Sequence, residues 1–278
     1  MQCDRMRWKN GLKKALTLSF DDGTEQDIPF VEMMKQNGVK GTFNVNTGLL
    51  APEGTVYPEG QVHRVMTEKQ LVSLFKDSGM EVAVHGLNHP FLERLPSYQA
   101  VNEVIEDRKN IEALFGVPCR GMAYPFGTFN DSVVDTLAAC GICYSRTTVS
   151  TLNFNVPVDW LRMPATCHYN DEHLPELTEK FVNETPDKAP WLFYLWGHTF
   201  EFEGRDNWNV IEKFLKKVGN REDVWYATNI EIYDYVQAFL SLQETVDGKV
   251  VYNPSAISVW VKSGDTAVEI KPGQTVTL

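Results

Sequence analysis

Cysteine is scarce in this 278-residue chain: there are five, an odd number, and a chain of this length does not need a disulfide framework. Cys140 and Cys143 form an isolated Cys-x-x-Cys. No second pair completes a zinc site, so the motif reads as core packing, with a redox or metal role as the alternative. Also missing is any run of roughly 18 uninterrupted apolar residues, the length of a membrane span. The opening MQCDRMRWKNGLKKALTLSF is basic but lacks the continuous apolar stretch of a secretory signal, which makes the cytoplasm the expected compartment. Positive charge is in deficit. Against 37 Asp and Glu stand 26 Lys and Arg, a formal net charge of −11. That balance argues against non-specific binding to nucleic acid or to an anionic membrane, and leaves a neutral substrate such as a sugar open.

What the chain does have is ordinary globular composition, 43% hydrophobic and 23% charged, enough to bury a large core. Short apolar runs alternate with amphipathic patterns. Ala15–Phe20 reads as a buried strand ending at Asp21-Asp22-Gly23, and a helical pattern from about Gln26 stops at Gly38. Gly41–Val45 is a second strand; Thr67 and Gln70 form a capping box that opens another helix. Met80–Val84, Gly121–Tyr124, Ile142–Arg146, Leu161–Met163, Trp191–Trp196 and Val224–Ala227 read as further strands, separated by helices that include Ser97–Leu114 and Glu231–Leu242. Such alternation implies parallel pairing through βαβ crossovers, and this many units predict a distorted (β/α) barrel of about seven strands. From about Glu244 onward, short β patterns are broken by Gly248, Pro254, Gly264 and Pro272-Gly273. The expected organisation is a barrel domain over 1–243 and a small β-rich appendage over 244–278, packed on it because it is too small to bury a core of its own.

Four clusters sit just after strands, where barrels place their chemistry. Asp21 and Asp22 are adjacent carboxylates that repel unless something cationic holds them, although Asp-Asp-Gly is also a good turn sequence. His85 and His89 lie four residues apart and face one side if the segment makes a single helical turn, a spacing that lets both imidazoles reach one metal. With a carboxylate they form a common divalent site with open positions for water and substrate; zinc, cobalt, nickel and iron all suit it. The second carboxylate is then free to act as a base. His198 ends the Trp191–Trp196 strand region and could protonate a leaving group, or be structural. Tyr124-Pro125-Phe126-Gly127 would shape a loop whose backbone N–H could serve an oxyanion, or be merely a turn.

The order Ser19-Phe20-Asp21-Asp22-Gly23, His85-x-x-x-His89, Tyr124-Pro125-Phe126-Gly127, then a late strand ending in His198, resembles the polysaccharide deacetylase superfamily (carbohydrate esterase family four, the NodB-homology domain) over roughly Ala15 to Leu240. The resemblance implies a distorted barrel that hydrolyses N-acetyl or O-acetyl groups of a sugar or oligosaccharide with one divalent ion, zinc before cobalt, nickel or iron. By position, Asp21 resembles the base, Asp22, His85 and His89 the metal ligands, His198 the acid and Leu195 the apolar residue beside the acetyl methyl, with Trp196 in the same pocket. Phe126 stands where the family usually has tyrosine, and the family uses the backbone N–H there. An arginine usually precedes the Pro of the third motif by two residues; here that position is Ala123. Arg162 is the expected replacement that holds Asp21, and Asp159, in Asp159-Trp160, is the expected partner that orients His198.

The implied chemistry is attack of an activated water on the acetyl carbonyl, with Asp21 taking its proton and His198 protonating the departing amine. Tyr124, Phe129, Trp196 and Trp208 could stack on sugar rings or belong to the core. Three readings compete: a hydrolase of the same fold acting on a non-sugar linear or cyclic amide, a 2-His-1-carboxylate iron oxygenase, and a catalytically dead carbohydrate-binding protein. Oligomeric state is not legible.

Overall fold

The computed structural model describes residues 3–278. A short strand, β1 (Met6–Arg7), precedes the main parallel sheet. That sheet starts at β2 (Lys14–Asp21), every residue of which is buried. Strands β3 (Gly41–Val45), β4 (Glu81–Val84), β5 (Gly121–Ala123) and β6 (Tyr144–Ser150) follow, each pairing with the one before. Next, β7 (Met163–Ala165) pairs with β6, whereas β8 (Cys167–His168) pairs with β9 (Trp191–His198), which returns to β2. Only Thr166 separates β7 from β8, and its N–H donates to Tyr194 O at 2.8 Å. One interrupted strand thus changes partner and closes the sheet into a distorted (β/α) barrel. β10 (Val224–Tyr226) adds alongside the first half of β2.

Strand alternation divides the side chains between two environments. Leu16, Leu18 and Phe20 of β2 join the large apolar cluster under the helices, with Phe43, Phe193 and Leu195. Thr17, Ser19 and Asp21 face the barrel axis, where the filling is polar and hydrogen-bonded, as buried polar groups must be. At its lower end Glu81 accepts from Tyr144 Oη and Thr42 Oγ1, both at 2.7 Å, and from Ile230 N–H at 2.9 Å. Burial raises its pKa to about 7.

The helix Glu68–Phe75 begins at the expected capping box. A second box, Thr228 with Glu231, starts the last helix at Asn229, two residues ahead of the sequence reading. The helix Ser97–Phe115 ends on Gly116 at φ 71°, the left-handed cap that glycine adopts without penalty. One expected strand is corrected: residues 160–162 form a 3-10 turn, and β7 begins only at Met163. No helix among the described residues is long and apolar enough to cross a membrane.

Beyond the last helix, β11 (Gln243–Glu244), β12 (Val250–Tyr252) and, after β13 (Val259–Ser263) and β14 (Thr266–Ile270), β15 (Thr275–Thr277) complete the chain. β11, β12 and β15 form one antiparallel sheet, and β1, β13 and β14 another. Val251, Val259, Val261 and Ile270 are buried in one cluster with Met6, Trp8, Tyr235 and Phe239, so both ends of the chain meet the barrel's last helix. Tyr235 Oη donates to Arg7 O at 2.5 Å and accepts from Trp260 N–H at 3.0 Å.

Candidate active site

At the end of β2 the two aspartates part company. Asp22 lies at φ 78° and Gly23 at φ 60°, a left-handed pair that Asp and Gly tolerate better than other residues. Asp21 keeps the strand phase and points into the barrel, while Asp22 turns toward the loop after β4. Its N–H is held by Asn44 O at 2.9 Å.

His85, directly after β4, is almost fully buried. Its Nδ1 lies 2.8 Å from Ala123 O. A carbonyl can only accept, so Nδ1 carries a proton, and in the neutral ring Nε2 carries the free lone pair. That Nε2 is 3.5 Å from Asp22 Oδ1, and His89 Nε2 is 3.8 Å from the same oxygen. Ligands about 2.0–2.2 Å from a tetrahedral zinc-like ion sit roughly 3.4 Å apart, so the three donors fit one divalent cation. Burial, followed by the neighbouring His85, pushes the His89 pKa down to about 4, which keeps its imidazole neutral. For Asp22 burial opposes ionisation, but His63, His85, His198 and His89 outweigh it and hold the carboxyl well below its usual range.

The expected single helical turn at His85–His89 is not how the spacing works. The segment is a tight turn with Gly86 at φ 77° and His89 at φ 53°. Asn46 Nδ2 donates to His85 O and Gly86 O, both at 2.6 Å, and the His85 N–H donates to the buried Asp107 at 3.1 Å. His63, from the loop before the helix Glu68–Phe75, faces the other oxygen of Asp22 at 3.5 Å; nothing in the sequence pattern marked it.

Asp21 accepts from Asn44 Nδ2 at 2.8 Å and forms a short buried ion pair with Arg146 Nη2. Burial pushes its pKa up, but Arg146, His85 and His198 together lower it below the ordinary carboxylate value. Arg162, the expected partner, is elsewhere. As the last residue of the 160–162 turn it does not close a strand, and its guanidinium binds Asp159 at 2.9 Å and Asp131 at 2.7 Å, half in solvent. The same pairing occupies the carboxylate of Asp159, which was expected to orient His198. Glu201 holds that place instead: His198 Nδ1 lies 3.2 Å from Glu201 Oε1. The signal was present in the sequence, a carboxylate three residues after the histidine at the start of a helical turn.

His198 Nε2 faces Asp21 Oδ2 at 3.8 Å. Burial lowers the His198 pKa, but Glu201, Asp21 and Asp22 more than compensate and raise it, favouring imidazolium. Two residues earlier on the same face, Trp196 lies under the Arg146 guanidinium at 4.4 Å, a cation–π contact that fixes both. Leu195 points the opposite way. It pairs with Leu18 and packs beneath the helices, so alternation along β9 takes it out of any acetyl pocket and leaves Trp196 beside His198.

Phe126 adopts φ 58° in the turn after β5. The turn's hydrogen bonds run from Gly127 N–H to Tyr124 O and from Thr128 N–H to Pro125 O, leaving the Phe126 N–H outside them. Its half-exposed ring stacks on Phe91 at 3.8 Å and meets His89 edge-on at 4.4 Å, which sets this loop against the His89 side of the cluster. Of the other aromatic candidates, Tyr124 is buried as core against Phe129, and Trp208 is partly buried, packed on Phe202 at the edge of the core. Cys140 is buried and Cys143 partly so, both as free thiols.

Comparison with known proteins adds the following. Residues 9–145 match the polysaccharide deacetylase family. The Xyl-CE4 domain of a multidomain xylanase from the hindgut metagenome of Trinervitermes trinervoides shares the fold, with TM-score 0.55 at 14% identity over 81% of this chain and 92% of its own. A Streptococcus pyogenes deacetylase in complex with acetate is 24% identical over 48% of this chain, with TM-score 0.42. A family-four pseudoenzyme from Bacillus anthracis is 20% identical over 80%, with TM-score 0.47. The chain spans 55% of the length of the streptococcal protein and 66% of that of the pseudoenzyme, less than two thirds of either. No curated protein sequence matches the chain.

Proposed function

Residues 9–145 match the polysaccharide deacetylase family, and on that premise we propose that the chain hydrolyses N-acetyl or O-acetyl groups on a carbohydrate with the help of one divalent ion. Asp22, His85 and His89 would hold the ion, zinc before cobalt, nickel or iron. The observation that carries the reading is the His85 hydrogen bond: Ala123 O accepts from Nδ1–H, which turns Nε2 toward Asp22 and His89. When bound, the ion would supply Lewis acidity to a water and to the acetyl carbonyl.

The protein's own groups are arranged for the remaining work. Asp21, kept ionised by Arg146, accepts the proton of the attacking water. His198, kept protonated by Glu201, gives a proton to the departing amine or alkoxide, so water and the acetylated sugar become acetate and a free amine or hydroxyl. Two titratable groups 3.8 Å apart have environments that push their pKa values in opposite directions, which is how an acid and a base share one site. The Phe126 N–H is the protein donor for the developing oxyanion, and Trp196 walls the acetyl side.

Acetate release, measured across acetylated oligosaccharides and small linear and cyclic amides with metal content recorded in parallel, tests this. Release from sugars by metal-loaded protein alone is the expected result. Turnover confined to the small amides would replace the substrate class, and no turnover by metal-loaded protein would place the chain with the pseudoenzymes.

A further inference from the structure

A second group of side chains also gathers as cation ligands would. His168, His198 and Glu201 bring their ligand atoms within 4.8 Å of one another, with Glu201 on the Nδ1 side of His198 and Asp21 on its Nε2 side. Glu201 Oε2 is buried with no hydrogen-bond partner within normal reach; His168 Nε2 stands 3.5 Å from it, and Arg205 Nε lies at the same distance. By separation alone this cluster and the Asp22 cluster are equivalent.

The proton positions distinguish them. His168 Nδ1 accepts the backbone N–H of Asn170 at 3.2 Å. A nitrogen that accepts carries no proton, so in the neutral ring the proton is on Nε2, the atom facing Glu201. This is the reverse of His85, whose Nδ1 donates and whose Nε2 is free. His168 therefore offers Glu201 a donor rather than a lone pair, and Arg205 adds a positive charge that disfavours a cation there.

We infer that His168 is a positioning residue: its Nε2–H, 3.5 Å from the outer oxygen of Glu201, steers that carboxylate so that the inner oxygen stays on His198 Nδ1, and the trio is an orienting relay instead of a second metal site. This rests on His198 being the acid proposed above. The edge of the His168 imidazole against Trp196, with ring centroids 4.6 Å apart, fixes its angle. The charged and titratable groups around the relay are Asp21 and Asp22 after β2, Arg146 on β6, Tyr169 after β8, and Arg205. Burial pushes the His168 pKa down to about 4, so the ring stays neutral while His198 titrates.

The test uses the full chain, with nitrogen-15-labelled histidine. In metal-free protein the NMR pattern of His168 should be that of the Nε2–H tautomer and that of His85 the Nδ1–H tautomer, and zinc titration should saturate at one tight equivalent. His168→Ala should lower the His198 titration midpoint in the metal-free protein. In the loaded enzyme it should cut kcat about tenfold with KM little changed, the lower end of what outer hydrogen-bond partners contribute, and draw the alkaline limb to lower pH. His168→Gln, whose amide can still donate, should restore most of both. A proton on His168 Nδ1, a second tight zinc lost with His168→Ala, or a His198 midpoint the same in wild type and His168→Ala would overturn the inference. The NMR arms need no turnover, so they decide the relay even if no acetylated sugar is a substrate.

Discussion

Ala123 and Arg146 are registered partners on adjacent parallel strands, β5 and β6, with both side chains on the barrel's inner face. The arginine absent from position 123 is supplied one strand over, and its guanidinium pairs with Asp21. Arg146→Ala should therefore cut kcat by about 10²-fold, the low end for a positioned base. Without the guanidinium Asp21 binds its proton more tightly, so the acidic limb of the pH–rate profile should move to higher pH. Breaking a buried pair also costs about 3–5 kcal/mol of stability, readable as a lowered urea midpoint. Arg146→Lys should recover only part of the rate. Arg162→Ala should leave the profile unchanged and shift stability by less than about 1 kcal/mol, because its partners are solvent-exposed.

The same register makes a transplant possible. Ala123→Arg in the Arg146→Ala background should return part of the lost kcat and move the acidic limb back down, since the two Cβ atoms start from neighbouring positions on one face. A double variant no better than Arg146→Ala would mean that the guanidinium must approach Asp21 from β6, stacked on Trp196.

The paired carboxylates give a direct separation of roles. Asp22→Asn, His85→Ala and His89→Ala should each lower metal affinity and turnover together, and chelation of the parent should abolish activity that added zinc restores. Asp21→Asn should keep its metal and lose about 10²–10⁴-fold in kcat. Metal content by elemental analysis beside acetate release separates the two phenotypes, and their exchange would reverse the assignment.

Much of this was legible in the sequence because strand ends and period-two patterns are local. The barrel, the Asp21–Asp22 turn, the His85–His89 pair and His198 follow from apolar runs and what terminates them. The partners of Asp21 and His198 do not, because they depend on register between strands far apart in sequence. Arg146 lies 125 residues from Asp21. It shares a face with Tyr144, an alternation visible in the sequence, but only pairing of β6 with β5 places it over Asp21. Arg162 and Asp159 were misplaced because residues 160–162, where a strand was expected from Leu161, form a 3-10 turn, which changes the direction of each side chain. Leu195 was misplaced by one residue of phase, which in a strand is the whole difference between barrel and helix faces.

Truncation after Gln243 should lower the melting temperature by several degrees and leave kcat within about twofold. It removes the partners of β1 and exposes Met6, Trp8 and Tyr235, while every proposed catalytic group lies before it. Unchanged melting with raised KM would make the segment a sugar-binding element instead of a brace.

The interruption at Thr166 gives the barrel a seam. Everywhere else around the ring each strand is hydrogen-bonded to neighbours on both sides, but β7 holds only β6 and β8 holds only β9. Arg146 stands on one bank of this seam, and His168, Trp196 and His198 on the other, bridged by the Arg146–Trp196 stack. The base-holding and proton-donating halves of the site are thus borne on strands that meet across one interrupted strand, and the separation between them is set where that strand changes partner.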